Sequence, residues 1–326
     1  AVGGDWYDVI QLPDGRVGVA IGDVVGHGLD AAMLMGGLRN ALHAYALEGL
    51  SPADVAPRLA RFAESFGPNK MATYIYGVFE PDSDTLSYVN GSHPQPLLVR
   101  PDGSIEYLAS PLLPPLGVPG VVIAEESTVS LEPGSTLLLY TDGLIERRGI
   151  RLAGQQEELL MAAQHAPFDP DLLCDTVVTT LLGDERASDD VALLAVQRVA
   201  TADRPLRLTV ATRAEELAAI RRLLRRWLAD AGADQAAVQA VLLASGEACS
   251  NAMEHAYGPG EQTFDVVAEH EDGEVVLTVT DRGNWRPPRG ENRGRGLHLI
   301  ETFMDDVEVV PAEGGTTIRM RKRITR

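Results

Sequence analysis

Apolar, β-rich runs in the first half of the chain begin or end on aspartate, and this pattern narrows the fold more than any other feature. Asp23 and Asp142 directly follow such runs, and Asp189 directly precedes one. The clusters are GGDWYD with Asp5 and Asp8, GDVVGHG with Asp23, YTDGL with Asp142, and SDDVALLAV with Asp189 and Asp190. A carboxylate at a strand end projects from a rigid sheet into a mouth shared with its neighbours. Several converging there repel one another unless a cation lies between them. All-oxygen donor sets suit Mg²⁺ or Mn²⁺. A pair of such ions activates a bridging water for in-line displacement at phosphorus. Taken singly, Asp beside Gly most often marks a turn, and Asp14, Asp102 and Asp272 are read that way. Four clusters flanked by apolar strands instead predict a sheet mouth built for hard cations.

The 326 residues are enough for about two domains. In the first half Val17, Val19 and Ile21 alternate after the turn Asp14-Gly15. HGLDAAMLMGGLRNALHAYALEG then carries Met35, Leu38, Leu42 and Tyr45 at helical spacing. The short runs TYIYGVF, TLSYVN, PLLV and STLLLYTDG follow, with a proline-rich loop from Pro111 to Pro119. Asp169 to Leu182 reads as a helix and VALLAV as a last buried strand. The pattern changes near Gln197, where RVATADRP forms a short connector. Beyond it come the strand LRLTV, a helix opened by a Thr212/Glu215 capping box, and a helix from about Asp234 to Tyr257. TFDVVAEHE and EVVLTVTD pair across Asp272-Gly273. A Gly- and Arg-rich loop, the helix GLHLIETFM and the strand TTIRMR close the chain. The expected class is α+β.

Charge excludes several functions. A net charge of −19 makes a poor nucleic-acid binder, because phosphate contacts need clustered Lys and Arg. The only lysines, Lys70 and Lys322, lie outside Gly-rich loops, so there is no P-loop and no kinase V-A-I-K strand. No run approaches the ~18 apolar residues of a membrane span. Cys174 and Cys249 are far apart in apolar patterns, as for free thiols of a reducing cytoplasm. The chain opens on Ala1 without a basic-then-apolar leader and is read as a segment of a cytoplasmic protein.

VGGDWYDV, IGDVVGHGLDAA, NGSHPQPLLV, LLLYTDGLIE and SDDVALLAV, in that order, resemble the SpoIIE-type serine phosphatases of the metal-dependent PPM (protein phosphatase 2C-like) family. The resemblance covers nearly all of residues 1–198. It implies a β-sandwich flanked by helices, with two Mn²⁺ or Mg²⁺ ions in its cleft. Asp5 and Asp23 would ligate the metals, assisted by the Val24 carbonyl, and Asp142 and Asp189 would complete the second metal's shell. Asp8 and Asp190 are further candidates. Family members carry a strand and a helical segment before VGGDWYD, so the resemblance implies a truncated N-terminal edge. The GDVVGHG spacing gives His27 no inherited general-acid role, and it reads as a loop histidine.

In the second half, VLLASGEACSNAMEHAY puts Glu247 and Asn251 one turn apart on a helix face. A carboxylate there accepts a proton, and an amide oxygen holds Mg²⁺ on nucleotide phosphates. VTDRGNW ends a strand with Asp281 and Gly283, and Gly294 and Gly296 precede a helix start, where backbone N–H groups approach phosphate. The set EACSNAMEHAY, TDRGNW, GRGLHLI and GGTT resembles the GHKL (Bergerat) ATP-binding α/β sandwich, most of all the small anti-sigma factor serine kinases. The resemblance implies Glu247 as catalytic base and Asn251 as ligand of the Mg²⁺ that accompanies ATP. Asp281 would bind the adenine amino group, with Gly283 allowing close approach and Thr316 nearby. Gly294, Arg295 and Gly296 would border the phosphates under the lid NWRPPRGENRGRG. His255 tempts a histidine-kinase reading, but the preceding segment is phosphatase-like rather than a dimerisation helix pair.

The expected organisation is a phosphatase domain over 1–198, a linker over 199–205 and a GHKL domain over 206–326. The expected function is bifunctional: dephosphorylation of a phosphoserine or phosphothreonine protein, and ATP-dependent serine phosphorylation of STAS-type anti-sigma factor antagonists. A sigma factor and a second copy of the chain are further expected partners. The alternative is an active phosphatase whose second half is an ATP-dependent binding switch without kinase activity. Retention of Glu247 argues against it, since a pure binder has no need of the base.

Overall fold

The computed structural model describes residues 3–146, 152–166, 169–183, 189–199, 201–255, 262–283, 295–312 and 315–324. In the first half two antiparallel sheets face each other. One contains β1 (Trp6–Gln11), β2 (Val17–Val24), β3 (Ala72–Glu80), β4 (Thr85–Gly91) and β7 (Ser127–Ser130), in the order β1-β2-β3-β4-β7. The other contains β5 (Leu97–Val99), β6 (Ile105–Tyr107), β8 (Thr136–Tyr140) and β9 (Leu193–Gln197), in the order β6-β5-β8-β9. Val19, Ile21, Ile75 and Tyr88 of the first sheet pack against Leu98, Leu137 and Leu139 of the second.

Helices cover both outer faces. On the first sheet, α1 (Leu29–Leu47) and α2 (Pro52–Glu64) bury Leu34, Leu38, Leu42, Val55 and Leu59 against Trp6, Tyr74 and Tyr76. On the second, α3 (Leu152–His165) and α4 (Pro170–Leu182) bury Leu159, Leu173 and Val177 against Leu97, Leu138 and Tyr140. The central strands are therefore buried on both sides and lack a polar face. In β2 the residues between Val17, Val19 and Ile21 are Gly18 and Ala20, small enough to lie under the helices. Asp169 caps α4 by accepting from the N–H groups of Asp171 and Leu172, and Pro170 fills the first turn, where its missing N–H costs nothing.

The second half is a two-layer sandwich. Its antiparallel sheet runs β10 (Leu206–Ala211), β11 (Thr263–Glu271), β12 (Glu274–Thr280), β14 (Gly315–Arg323), β13 (Asp306–Ala312). Burial in β11 and β12 alternates with period 2, so one face meets the helices α5 (Glu216–Asp230), α6 (Gln235–His255) and α7 (Arg295–Phe303). Trp227, Leu228, Val241, Ala248 and Ile300 pack there on Val210, Phe264, Leu277 and Met320. The expected α+β class, a helix-flanked β-sandwich followed by an α/β sandwich, is the architecture observed.

The Thr212/Glu215 capping box does not form. α5 starts at Glu216 behind Glu215, and no side chain caps it. Arg213 bends back through its N–H to the Ala211 carbonyl, and its guanidinium reaches the carbonyls of His165 and Ala166 at the end of α3 and the buried Glu216 carboxylate. The turn is thus committed to holding the halves together. Asp84, 7% exposed, receives Arg198 and Arg204; Arg222 of α5 pairs with Asp169; and the Thr209 N–H donates to the Pro101 carbonyl at 3.0 Å. Both cysteines are free thiols, and no described helix is long and apolar enough to cross a membrane.

Candidate active sites

The mouth of the first half forms where four chain segments meet. β2 delivers Asp23 at its end, and residues 3–5 run alongside it. The Val24 N–H donates to the Gly4 carbonyl at 3.2 Å, and a Cβ at Gly4 would stand 2.4 Å from the Val24 carbonyl oxygen. Only glycine permits that approach, and it sets Asp5 beside Asp23. The charge of Asp23 acts directly on Asp5. From the opposite sheet, β8 ends on Tyr140 and leads into Thr141 and Asp142. Gly143 backs so closely onto the Asp190 carbonyl that a Cβ there would overlap it, at 2.0 Å, which brings the Asp189–Asp190 segment in.

Burial and mutual repulsion set the electrostatics. Burial pushes the Asp5 carboxyl up to about 7; the charges of Asp23 and Asp142 push the same way. The Thr141 hydroxyl, donating to Asp5 at 2.7 Å, pulls against them. Asp23 is raised by burial and by the charges of Asp142, Asp189 and Asp190. Asp142 is raised by burial and by Asp189. Among the described residues no three acidic, His or Cys side chains stand close enough to enclose one ion. The charges of Asp142, Asp189 and Asp190 nevertheless act on Asp23, and those of Asp23 and Asp142 on Asp5. An all-oxygen set held against its own repulsion fits hard divalent cations, which would relieve that repulsion.

One expected candidate, Asp8, behaves otherwise. The Asp8 carboxylate meets Arg39 at 3.4 Å and His43 at 3.1 Å on α1. Burial works to raise its pKa, but the His43 and Arg39 bonds outweigh it and hold the carboxyl below the ordinary range. Asp8 thus ties β1 to α1 and does not join the mouth. His27 is exposed in the loop before α1, as its loop reading requires. The sequence reading missed Thr141 and His93, whose partners come from distant segments. Their one signal is polarity at the edge of apolar runs, inside YTDGL and NGSHPQPLLV.

In the second half, α6 carries Glu247 and Asn251 on one face, toward the start of α7. A Cβ at Gly296 would stand 3.0 Å from Glu247 Oε2 and 3.6 Å from both Asn251 amide atoms. Just past the end of β12, Asp281 Oδ1 accepts from the N–H of Gly283 at 2.9 Å and of Thr316 at 3.2 Å. The Asp281 N–H in turn donates to the Thr316 carbonyl at 3.0 Å. Glu247, Asn251 and Gly296 therefore form one group, and Asp281, Gly283 and Thr316 a second. Gly294, the lid and the side chain of Arg295 lie outside the described residues, as do the side chains of Glu254 and His255.

Residues 13–199 match the Stage II sporulation protein E (SpoIIE) family, and residues 210–322 match the histidine kinase-like ATPase domain. The phosphoserine phosphatase RsbP of Bacillus subtilis (strain 168) is 32% identical over 148 residues, 44% of this chain and 36% of RsbP. The chain thus spans only about a third of that relative's length. The anti-sigma F factor of Pasteuria penetrans is 36% identical over 94 residues, 24% of this chain and 63% of that protein. Among solved structures, the RsbU and RsbW domains of Rv1364c from Mycobacterium tuberculosis are 33% identical with a TM-score of 0.58, covering 100% of this chain and 91% of that one. The PP2C phosphatase domain of SpoIIE from Bacillus subtilis, with a fragment of its regulatory domain, shares the fold at 17% identity and a TM-score of 0.52, over 60% of this chain and 59% of that one. With a family match over more than half its length and a solved relative that it covers almost end to end, the chain belongs to the SpoIIE family, and its second half carries a histidine kinase-like ATPase domain.

Proposed function

We propose that residues 1–198 are a Mn²⁺- or Mg²⁺-dependent phosphoserine/phosphothreonine protein phosphatase, and that residues 206–326, after a linker at 199–205, are an ATP-dependent serine kinase. The observation that carries the first half of this reading is the convergence of Asp5 and Asp23, held together through the Gly4–Val24 backbone bond, with Asp142 at the end of β8 and Asp189, whose charges act on Asp23. Asp5 and Asp23, assisted by the Val24 carbonyl, would ligate the metals, and Asp142 and Asp189 would complete the second metal's shell, with Asp190 a further candidate. When bound, the ions supply an activated bridging water and polarise the phosphoryl oxygens. The chain's own task is to keep these carboxylates oriented and deprotonated, and the Thr141 bond to Asp5 serves both ends.

In the second half, Glu247 takes the proton of the acceptor serine hydroxyl as its oxygen bonds to the γ-phosphorus and the bond to ADP breaks. Asn251 supports Mg²⁺ on the phosphates. Asp281 would meet the adenine amino group, with Gly283 and Thr316 beside it, and Gly294, Arg295 and Gly296 would border the phosphates. The RsbU–RsbW pairing of the Mycobacterium relative and the anti-sigma F factors support a partner from an anti-sigma factor pathway; within that reading the substrate of both activities is a STAS-type antagonist, with a sigma factor and a second copy of the chain as further partners. The test is the full chain with a STAS protein: Mn²⁺ should release phosphate from its phosphorylated form, and ATP-Mg²⁺ should restore it. ATP binding without transfer would leave the second half a binding switch.

A further inference from the structure

His93 is a buried imidazole that neither proposed reaction uses. It is 4% exposed and spans the sandwich. Its Nε2 lies 3.1 Å from the Tyr140 carbonyl oxygen, the last residue of β8, and its Nδ1 lies 2.8 Å from Thr73 Oγ1 on β3. A carbonyl only accepts, so Nε2 carries the proton and the Thr73 hydroxyl donates to Nδ1. Burial, partly offset by the Tyr140 carbonyl, holds the ring pKa down near 3, so the ring stays neutral in this arrangement. Asn90, fully buried, clamps the backbone on either side of the ring by donating to the His93 carbonyl at 3.0 Å and accepting from its N–H at 2.8 Å.

Both ends of this link adjoin the acidic mouth. Thr73 stands directly opposite Asp23 in the β2–β3 ladder, and facing residues of an antiparallel pair share a face. The Tyr140 carbonyl is two residues before Asp142. The sheets contribute separate halves of the carboxylate set, so the spacing between them decides whether the halves close on one cluster. We propose that His93 and Thr73 are a positioning pair for the metal site, fixing β3, the ladder partner of the strand that bears Asp23, against the strand that leads into Asp142. This rests on the phosphatase reading of residues 1–198.

The experiment is calorimetric Mn²⁺ binding to the full chain, with urea midpoints and ATP binding measured alongside. Thr73→Val keeps the shape but removes the donor, and should weaken Mn²⁺ binding by about 10-fold, the low end of the cost of losing a partner behind a metal ligand, because Thr73 reaches the ligands only through His93 and the strands. Thr73→Ser keeps the donor and should stay close to wild type. His93→Leu should resemble Thr73→Val; if it does not fold, Thr73→Val carries the test. ATP binding should be unchanged in all three. A Thr73→Val chain that binds Mn²⁺ like wild type, with only its urea midpoint lowered, would make His93 a plain core residue and overturn the proposal. An unmutated chain that binds no Mn²⁺ would sink the phosphatase reading itself, a result distinct from the first.

Discussion

The hydroxyl of Thr141 donates to the carboxylate of Asp5 at 2.7 Å, joining residues 136 positions apart. The same oxygen accepts from the Ala192 N–H at 2.8 Å. One buried side chain thus ties the segment before β1 to the end of β8 and the approach to β9, the places where the acidic residues sit. Thr141→Val leaves Asp5 without its donor and the Ala192 N–H unpaired. We expect Mn²⁺ affinity to fall ~10–100-fold, with Thr141→Ser near wild type, measured by calorimetry. Equal affinity in the valine variant would leave Thr141 without a role at the mouth.

The metal-free chain should lose stability as pH rises. Asp5 is raised to about 7, so the folded state holds a proton there that the unfolded chain has already released. That contribution is fully present below the ordinary carboxylate range and is lost as pH climbs through about 7. Melting in chelator between pH 5 and 8 should show a falling Tm, with Mn²⁺ raising it most at the upper end. Asp23→Asn or Asp142→Asn removes one repelling charge and should flatten the fall while abolishing phosphatase activity. A Tm that rises with pH in chelator would contradict the burial assigned to this cluster.

Asp84 bears on the union of the two halves. It is 7% exposed and pairs with Arg198 at 2.9 Å and with Arg204. Asp84→Ala leaves the mostly buried Arg198 guanidinium uncompensated. Breaking a buried pair costs about 3–5 kcal/mol, and the exposure of Arg204 draws the figure toward the lower end. Urea unfolding should then begin earlier and separate into two steps, one for each half. An unchanged single transition would mean that the other contacts suffice.

Glu247 and Asn251 should fail differently. Glu247→Ala should keep ATP binding and lose ~10²–10⁴-fold in phosphotransfer, the usual share of a general base. Asn251→Ala should weaken Mg²⁺-dependent ATP binding itself. Nucleotide titrations with and without Mg²⁺ separate the two. Loss of both properties in each variant would point to a disturbed α6 instead.

The division into two sandwiches and the acidic mouth were legible because carboxylates beside apolar strands are a local pattern. α2 was not, since only Val55 and Leu59 among its five buried residues are large aliphatics, Pro57 stands inside it, and its start rests on the Ser51 cap. β13 was missed because its acidic start, Asp305 and Asp306, has no apolar signal of its own and is held by Lys322 and Arg321 across the sheet. Asp8 looked like its neighbour Asp5, and only α1, folding over β1, shows that Arg39 and His43 claim it. Thr141 and His93 gain their importance from partners 20 to 136 residues away, which no window along the chain contains.

The most direct test is phosphate release from a phosphorylated STAS protein by the full chain, with Mn²⁺ and with chelator, for wild type and Asp142→Asn. The account predicts release by wild type with Mn²⁺, none in chelator, and none from Asp142→Asn at any Mn²⁺ concentration. Metal-independent release, or full activity in Asp142→Asn at saturating Mn²⁺, would contradict it.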